Sequence, residues 1–213
     1  MTTYVLIPGA CHGGWYFAPI TARLCAEGHE VHALTLGTGR VNLDDHVAEV
    51  LDHLAGSALS DVVLVGHSYG GMVITAVADR VPALVGALVY VDAFVPRDGE
   101  SAYDIVHGDW RRWYVEGSTA DGFSMAPLPS FDHRATAHPL ATLLQRVSLT
   151  GAVEGVADRH YLFMAGFPDS PLRTTYERLV DDPSWRVRAL PGGHDVVREA
   201  PEEFLEVLRL AGG

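Results

Sequence analysis

The feature that most constrains this chain is the segment from Val62 to Val73, with the sequence VVLVGHSYGGMV. Four aliphatic residues typical of a buried strand lead into a G-x-S-x-G pentapeptide, and an apolar stretch compatible with a helix follows. Such a unit holds its central serine, Ser68, in a strained turn with the hydroxyl raised above the sheet. We expect glycine at Gly66 and Gly70 because a Cβ there would collide with the neighbouring strand and helix. The pattern predicts a nucleophilic serine rather than a plain glycine-rich turn.

Composition narrows the class of protein. The 213 residues are enough for one substantial core but few for two domains. The net charge of −12 and the absence of a Lys/Arg run argue against nucleic acid or an anionic membrane as partner. No apolar run reaches the length of a membrane span, and the first strand begins too early for a signal peptide. Cys11 and Cys25 do not suggest a disulfide framework. We expect a cytoplasmic protein with a small-molecule substrate. Whether it forms a homodimer is left open by the sequence.

Strand-like and helix-like segments alternate along most of the chain. This predicts an α/β fold with a mostly parallel sheet of about six strands and helices on both faces. Strands are expected at residues 4–8, 30–34, 61–66, 84–91, 160–165 and 185–190, and helices at 17–27, 43–55, 69–81, 171–180 and 201–210.

The alternation stops between residues 96 and 157, where aromatic residues, proline and glycine are frequent. This stretch is too long for an ordinary connection between two core strands. We therefore predict a single domain with a core of residues 1–95 and 158–213, and a small helical lid of residues 96–157 over the site.

A nucleophilic serine needs a base, and the base needs an acid that orients it. On a sheet of this kind the histidine is expected in the loop after the last strand, where the sequence LPGGH contains His194. The two glycines before it let the loop bend back over Ser68. A surface loop histidine is the alternative.

Two aspartates compete for the role of the acid. Asp169 is the only carboxylate in the loop AGFPDS, the usual position, but it also suits the start of the next helix as a cap or dipole partner. Asp92 ends an apolar strand that should lie beside the strand of Ser68. An unpaired carboxylate there would be costly, and acids at this edge of a parallel sheet face the ligand. We favour Asp92, with Asp169 as runner-up.

An oxyanion intermediate needs two converging backbone N–H groups. One should belong to Tyr69, the residue after the nucleophile. The other should come from the glycine-rich loop PGACHGGW after the first strand, with Ala10 as the best-placed donor. A loop shaped only for packing is the alternative. Phosphate binding is disfavoured because neither a G-x-G-x-x-G motif nor a Walker lysine is present.

The sequence gives no reason to expect a cofactor or a metal. The eleven histidines are scattered, and His46 and His53 lie one heptad apart on what should be a surface helix. Seven residues are candidates for contact with the substrate, although the aromatic ones among them suit the packing of the lid equally well: Gly9, His12, Trp15, Phe94, Trp110, Trp113 and Met125.

The sequences LIPGACHGGW at residues 6–15 and GHSYGG at residues 66–71 resemble one branch of the α/β-hydrolase superfamily. This branch contains plant methylesterases and hydroxynitrile lyases, and the resemblance is closer to its bacterial esterase-like members. It covers nearly all of the core, whereas the lid is shorter than is usual for the plant enzymes. The resemblance implies a cofactor-free serine hydrolase with Ser68, His194 and an acid as triad and Ala10 and Tyr69 as oxyanion donors.

Three positions depart from the pattern of this branch. Pro8 replaces the histidine usual before the first loop glycine. Gly9 stands where the lyases carry a threonine, and Asp195 stands where they carry a lysine that stabilises cyanide. The last two argue against cyanohydrin cleavage, because an anion leaving beside Asp195 would be repelled.

We therefore expect hydrolysis of a small to medium, uncharged, possibly aromatic carboxylic ester through an acyl-enzyme. A lyase or cyclase that uses the same site on a polyketide-like or cyanohydrin-like substrate is the alternative. A non-catalytic ligand receptor is a further one, and the intact Ser68 and His194 argue against it.

Overall fold

A six-stranded parallel sheet forms the centre of the computed structural model, which describes residues 1–213. The chain contains eight strands: β1 (Thr3–Ile7), β2 (Glu30–Ala33), β3 (Val62–His67), β4 (Val85–Val91), β5 (Ser124–Met125), β6 (His138–Pro139), β7 (Asp158–Met164) and β8 (Arg186–Leu190). The central sheet has the order β2-β1-β3-β4-β7-β8, and each neighbouring pair is parallel. The predicted α/β fold with six core strands is confirmed.

Helices connect the strands. They are α1 (Ala18–Ala26), α2 (Leu43–Gly56), α3 (Gly70–Arg80), α4 (Ala102–Ile105), α5 (Gly108–Glu116), α6 (Leu140–Leu144), α7 (Arg173–Leu179), α8 (Val196–Glu199) and α9 (Pro201–Ala211). A short 3-10 helix, Gly14–Phe17, precedes α1, so Phe17 lies before the α-helix that was expected to begin there. None of the helices combines the length and the apolar character that crossing a bilayer requires.

The two faces of the sheet carry separate hydrophobic cores because side chains alternate along each strand. On β1, Val5 and Ile7 face the core shared with α2 and α3, whereas Tyr4 and Leu6 face the core shared with α1 and α9. All four side chains are fully buried. Helices therefore cover both faces of the sheet, as expected for parallel strands.

Helix α3 begins unusually close to the strands beneath it. A Cβ on Gly66 would lie 2.7 Å from the backbone of Gly70, and a Cβ on Gly70 would lie 2.3 Å from the carbonyl oxygen of Ile7. Contacts this short are not tolerated, so both positions require glycine, as predicted. The close approach fixes the first turn of α3 directly behind Ser68.

The segment of residues 96–157, which we call the lid segment, is less helical than predicted. It contains α4, α5 and α6, but also the antiparallel pair β5–β6. Its two ends lie together, because Gly99 N–H donates to the carbonyl of Val147 at 2.9 Å. Asp79 of α3 accepts from Thr150 N–H at 2.6 Å and from Val153 N–H at 3.0 Å. The segment thus leaves and rejoins the core at one place.

Candidate active site

Ser68 occupies the sharp turn between β3 and α3. Its backbone has a φ of +51°, a left-handed conformation that costs energy for a residue with a side chain. The surrounding backbone holds it there. Ser68 N–H donates to the carbonyl of Val91 at 3.3 Å, and the Ser68 carbonyl accepts from Phe94 N–H at 3.1 Å. The strained turn is therefore tied to the end of the neighbouring strand β4.

His194 is hydrogen-bonded to Asp92. His194 Nδ1 lies 2.6 Å from Asp92 Oδ2, and the other carboxylate oxygen accepts from Met164 N–H at 3.1 Å. The Asp92 side chain is 0% exposed, so both its oxygens are paired where water does not reach them. This is the arrangement in which a carboxylate fixes the ring orientation and the tautomer of a general base.

Asp169, the runner-up for the acid, is exposed and forms no hydrogen bond to His194. Its carbonyl oxygen accepts from Trp110 Nε1 at 3.4 Å. It does not cap helix α7 either, because the residue at that N-cap is Leu172. Of the two candidates, the structure pairs only Asp92 with the histidine.

The loop of His194 is held from below by His67. His67 Nε2–H donates to the His194 carbonyl at 3.0 Å, and the two rings lie 4.6 Å apart. Burial, together with the nearby imidazoles of His194 and His12, lowers the pKa of His67 well below its usual range. His67 is therefore neutral, with its proton on the nitrogen that faces the carbonyl. Sequence reasoning did not assign this role to His67.

Ser68 and His194 line one cavity of about 210 Å³, which we call the Ser68 cavity. The structure has no hydrogen bond between Ser68 Oγ and His194 Nε2, and such catalytic bonds often form only with a substrate in place. Gly9, Ala10, His12 and Tyr69 also line the cavity. The backbone N–H groups of Ala10 and Tyr69 donate no hydrogen bond within the chain, so both are free to bind an oxyanion.

Two buried histidines brace the residues around these N–H groups. His46 Nδ1 accepts from the Tyr69 hydroxyl at 2.9 Å, and His138 Nδ1 accepts from Cys11 N–H at 3.3 Å. His46 is only 1% exposed, so the expectation of a surface position was wrong: α2 turns this face toward Tyr69. Burial lowers the pKa of both imidazoles, which keeps them neutral as these contacts require.

The walls of the Ser68 cavity are mostly apolar. Phe94, Trp110 and Trp113 line it as predicted, and no Asp, Glu, Lys or Arg does. Sequence reasoning missed several further lining residues, all but Tyr114 of α5 from irregular segments: Tyr114, Leu128, Ser130, Phe131, Phe167, Pro171 and Leu172.

Two predicted substrate contacts do not line this cavity. Met125 is fully buried in the core, because β5 pairs with β6 and turns its side chain inward. Trp15 lies on the outer side of the glycine-rich loop, where the Arg134 guanidinium stacks on its ring at 4.3 Å. The burial of Met125 depends on how the lid segment packs, and that segment has no periodic pattern in the sequence.

Comparison with known proteins identifies the family of this chain. A family model described as "Alpha/beta hydrolase family" matches residues 4–207. A carbendazim hydrolyzing esterase of Nocardioides sp. (strain SG-4G) is 34% identical over 242 residues, which cover 100% of both chains. Methylesterase 7 of Arabidopsis thaliana is 38% identical over 104 residues, which cover 44% of this chain and 40% of the plant protein.

Among solved structures, an extracellular alpha/beta-hydrolase from a Paenibacillus species superposes with a TM-score of 0.85 at 23% identity. The match covers 100% of this chain and 99% of that one, and at this identity it supports the fold alone. With a family match over nearly its whole length and a relative that is similar from end to end, this chain belongs to the alpha/beta hydrolase family.

Proposed function

We propose that this chain is a carboxylic ester hydrolase that acts through an acyl-enzyme formed on Ser68. The observation that carries the proposal is the hydrogen bond of 2.6 Å between His194 Nδ1 and Asp92 Oδ2, in the wall of the cavity that contains Ser68. A serine that acts as a nucleophile needs an oriented base next to it, whereas a pocket that only binds a ligand needs no such base.

The first half of the reaction follows from these positions. His194 Nε2 takes the proton of Ser68 Oγ as that oxygen attacks the ester carbonyl. The N–H groups of Ala10 and Tyr69 stabilise the negative charge on the carbonyl oxygen of the tetrahedral intermediate. When the intermediate collapses, the C–O bond to the alcohol breaks and His194 gives its proton to the leaving oxygen.

Water completes the cycle. His194 removes a proton from a water molecule as its oxygen attacks the acyl carbonyl, and the same N–H groups stabilise the second intermediate. Ser68 leaves with the proton returned by His194, and the carboxylic acid is released. The Asp92 carboxylate, hydrogen-bonded to His194 Nδ1, stabilises the imidazolium that forms twice in each cycle.

The cavity restricts the acid part of the substrate. Its volume of about 210 Å³ lies below the range of roughly 300–1,000 Å³ that is typical of drug-sized ligands. Its aromatic walls carry no charged side chain, so an uncharged acyl group of small to medium size, an aromatic one included, is favoured over a charged one. The names of the relatives support ester hydrolysis, since one is described as an esterase and another as a methylesterase.

Two parts of the proposal concern the setting of the site. The lid segment acts as a cover, because Trp110, Trp113 and Phe131, all of which belong to it, form part of the wall of the Ser68 cavity. A cytoplasmic location is supported by Cys11 and Cys25, neither of which forms a disulfide.

A lyase is disfavoured, because Asp195 follows the histidine and no cationic side chain lines the cavity to stabilise a leaving anion.

A hydrolysis screen tests the proposal. We expect turnover of p-nitrophenyl and aryl methyl esters by the wild-type chain and none above background by Ser68→Ala. A fluorophosphonate probe should label the wild-type serine and leave Ser68→Ala unlabelled. A folded wild-type chain that neither labels nor cleaves any ester would overturn the proposal and favour a receptor.

A further inference from the structure

A second and larger space borders the same histidine. This space, which we call the outer cleft, has a volume of about 830 Å³ and opens to solvent beside helix α1. It shares five lining residues with the Ser68 cavity: His12, His67, Ser130, Phe131 and His194. His194 therefore borders a smaller, more enclosed cavity on one side and a larger, more open cleft on the other.

The two compartments differ in chemistry. The Ser68 cavity has no charged lining residue, whereas the outer cleft has five: Asp132, Arg134, Asp195, Arg198 and Glu199. Arg134 is already paired, because its Nε lies 2.8 Å from Asp132 Oδ1. Three carboxylates and two guanidiniums leave the cleft polar with a slight excess of negative charge.

The catalytic geometry decides which part of an ester enters which compartment. Ala10 and Tyr69 line the Ser68 cavity and do not line the outer cleft, so the carbonyl oxygen belongs in the cavity. We place the acyl group there as well, because the uncharged, aromatic walls of the cavity suit an apolar group. The leaving oxygen must receive its proton from His194, which lines both. The alcohol part of the ester can therefore extend past His194 into the cleft.

We infer that this site is selective for a small apolar acyl group and accepts a long, polar, uncharged alcohol in the outer cleft. This inference rests on the proposed function. Because the cleft is larger, polar and open, added alcohol atoms stay in contact with water or polar side chains and meet no closed wall. Because three carboxylates and only two guanidiniums line the cleft, an alcohol that carries a carboxylate is disfavoured there.

Two ester series test the inference. In the first, the acid is phenylacetate and the alcohol grows from methanol to 2-methoxyethanol and to 2-(2-methoxyethoxy)ethanol. In the second, the alcohol is methanol and the acid grows from phenylacetate to 4-biphenylacetate. We expect kcat/KM to be kept or raised along the first series and to fall by at least about tenfold along the second, as when a closed pocket is overfilled. A fall along the first series, or tolerance of the larger acid, overturns the inference.

The effect of a charge on the alcohol is tested with two esters of phenylacetic acid. In one the alcohol is the hydroxyl group of glycolate, and in the other it is the hydroxyl group of glycolamide, which is uncharged. The carboxylate should be the poorer substrate, and a preference for it contradicts the inference. The background rate measured with Ser68→Ala is subtracted from every rate. Cleavage of methyl phenylacetate with the wrong size dependence defeats only the inference, whereas no cleavage of any ester defeats the proposed function as well.

Matched variants assign each effect to its compartment. Ala18 is exposed and lines only the outer cleft, and Leu128 lines only the Ser68 cavity. Ala18→Phe should lower the ratio of kcat/KM for the longest alcohol to that for methanol. Leu128→Phe should instead lower the ratio for the larger acid to phenylacetate. If Ala18→Phe changes only the acid ratio, the alcohol does not occupy the cleft.

Discussion

Ser68 and Asp92 occupy equivalent places at the ends of two neighbouring parallel strands. The residues before them, His67 and Val91, are register partners in β3 and β4, and both Ser68 and Asp92 have left-handed backbones with φ of +51° and +41°. Each such conformation costs on the order of 1–3 kcal/mol in a residue with a side chain. The core beneath the strands compensates for this strain, and the nucleophile and the acid are held at one edge of the sheet.

The first prediction concerns the acid. Asp92→Asn should reduce kcat by about 10⁴-fold, because an amide can hold His194 in the wrong tautomer. The fold should be kept, since the asparagine carbonyl can still accept from Met164 N–H. Circular dichroism would check the fold, and steady-state kinetics the rate.

Asp169→Asn is the matched control for this variant. Asp169 is exposed and its carboxylate does not reach His194, so kcat should stay close to that of the wild type. If Asp169→Asn loses activity while Asp92→Asn keeps it, the usual loop position supplies the acid and our assignment is wrong.

The second prediction concerns the pair of nucleophile and base. Ser68→Ala and His194→Ala should each reduce kcat by about 10⁴-fold or more, and the double variant should be little worse than either. Residues that act as one unit lose their effect together. Losses that multiply in the double variant would mean that Ser68 and His194 act in separate steps.

The third prediction concerns the close approach behind Ser68. Gly66→Ala should lower the free energy of unfolding by about 1–3 kcal/mol or more, because its Cβ would meet the backbone of Gly70 at 2.7 Å. Urea unfolding measures the change. Gly56→Ala, at the end of α2, has no atom within 4 Å of the new Cβ and should leave stability unchanged or raise it by up to about 1 kcal/mol. Equal losses in both variants would argue against a steric cause.

Much of this site could be predicted because it depends on short stretches of sequence. The strand and glycines around Ser68 identify the turn. The apolar strand that ends in Asp92 implies a partner for a carboxylate that would otherwise be buried alone. The register of parallel strands then brings the two residues to one edge of the sheet, whatever the loops do.

The remainder depends on contacts between distant residues. His138 reaches Cys11 across 127 positions of the chain, and Phe131 joins the cavity wall from a stretch with neither helical nor strand periodicity. Met125 was expected at the substrate for the same reason: an apolar residue in an irregular segment gives no sign of which way it faces.

The last prediction is that acid destabilises the fold partly through His138. Burial, followed by the nearby imidazoles of His46 and His12, lowers the pKa of His138 from its ordinary 6.5 to about 3. Between these values the unfolded chain binds a proton that the folded chain does not. The free energy of unfolding therefore falls as the pH drops through this window, by about 1.4 kcal/mol per pH unit for each such proton. His138→Asn keeps an acceptor for Cys11 N–H but cannot titrate, so stability measured by urea unfolding between pH 7.5 and pH 4.5 should fall less steeply than in the wild type. His133→Asn is the control, because it makes the same substitution in a side chain that is 88% exposed. An equal change of slope in both variants would argue against the burial of His138 as the cause. An unchanged slope in His138→Asn would show that His138 does not take part in the acid response, and the other buried histidines would then account for it.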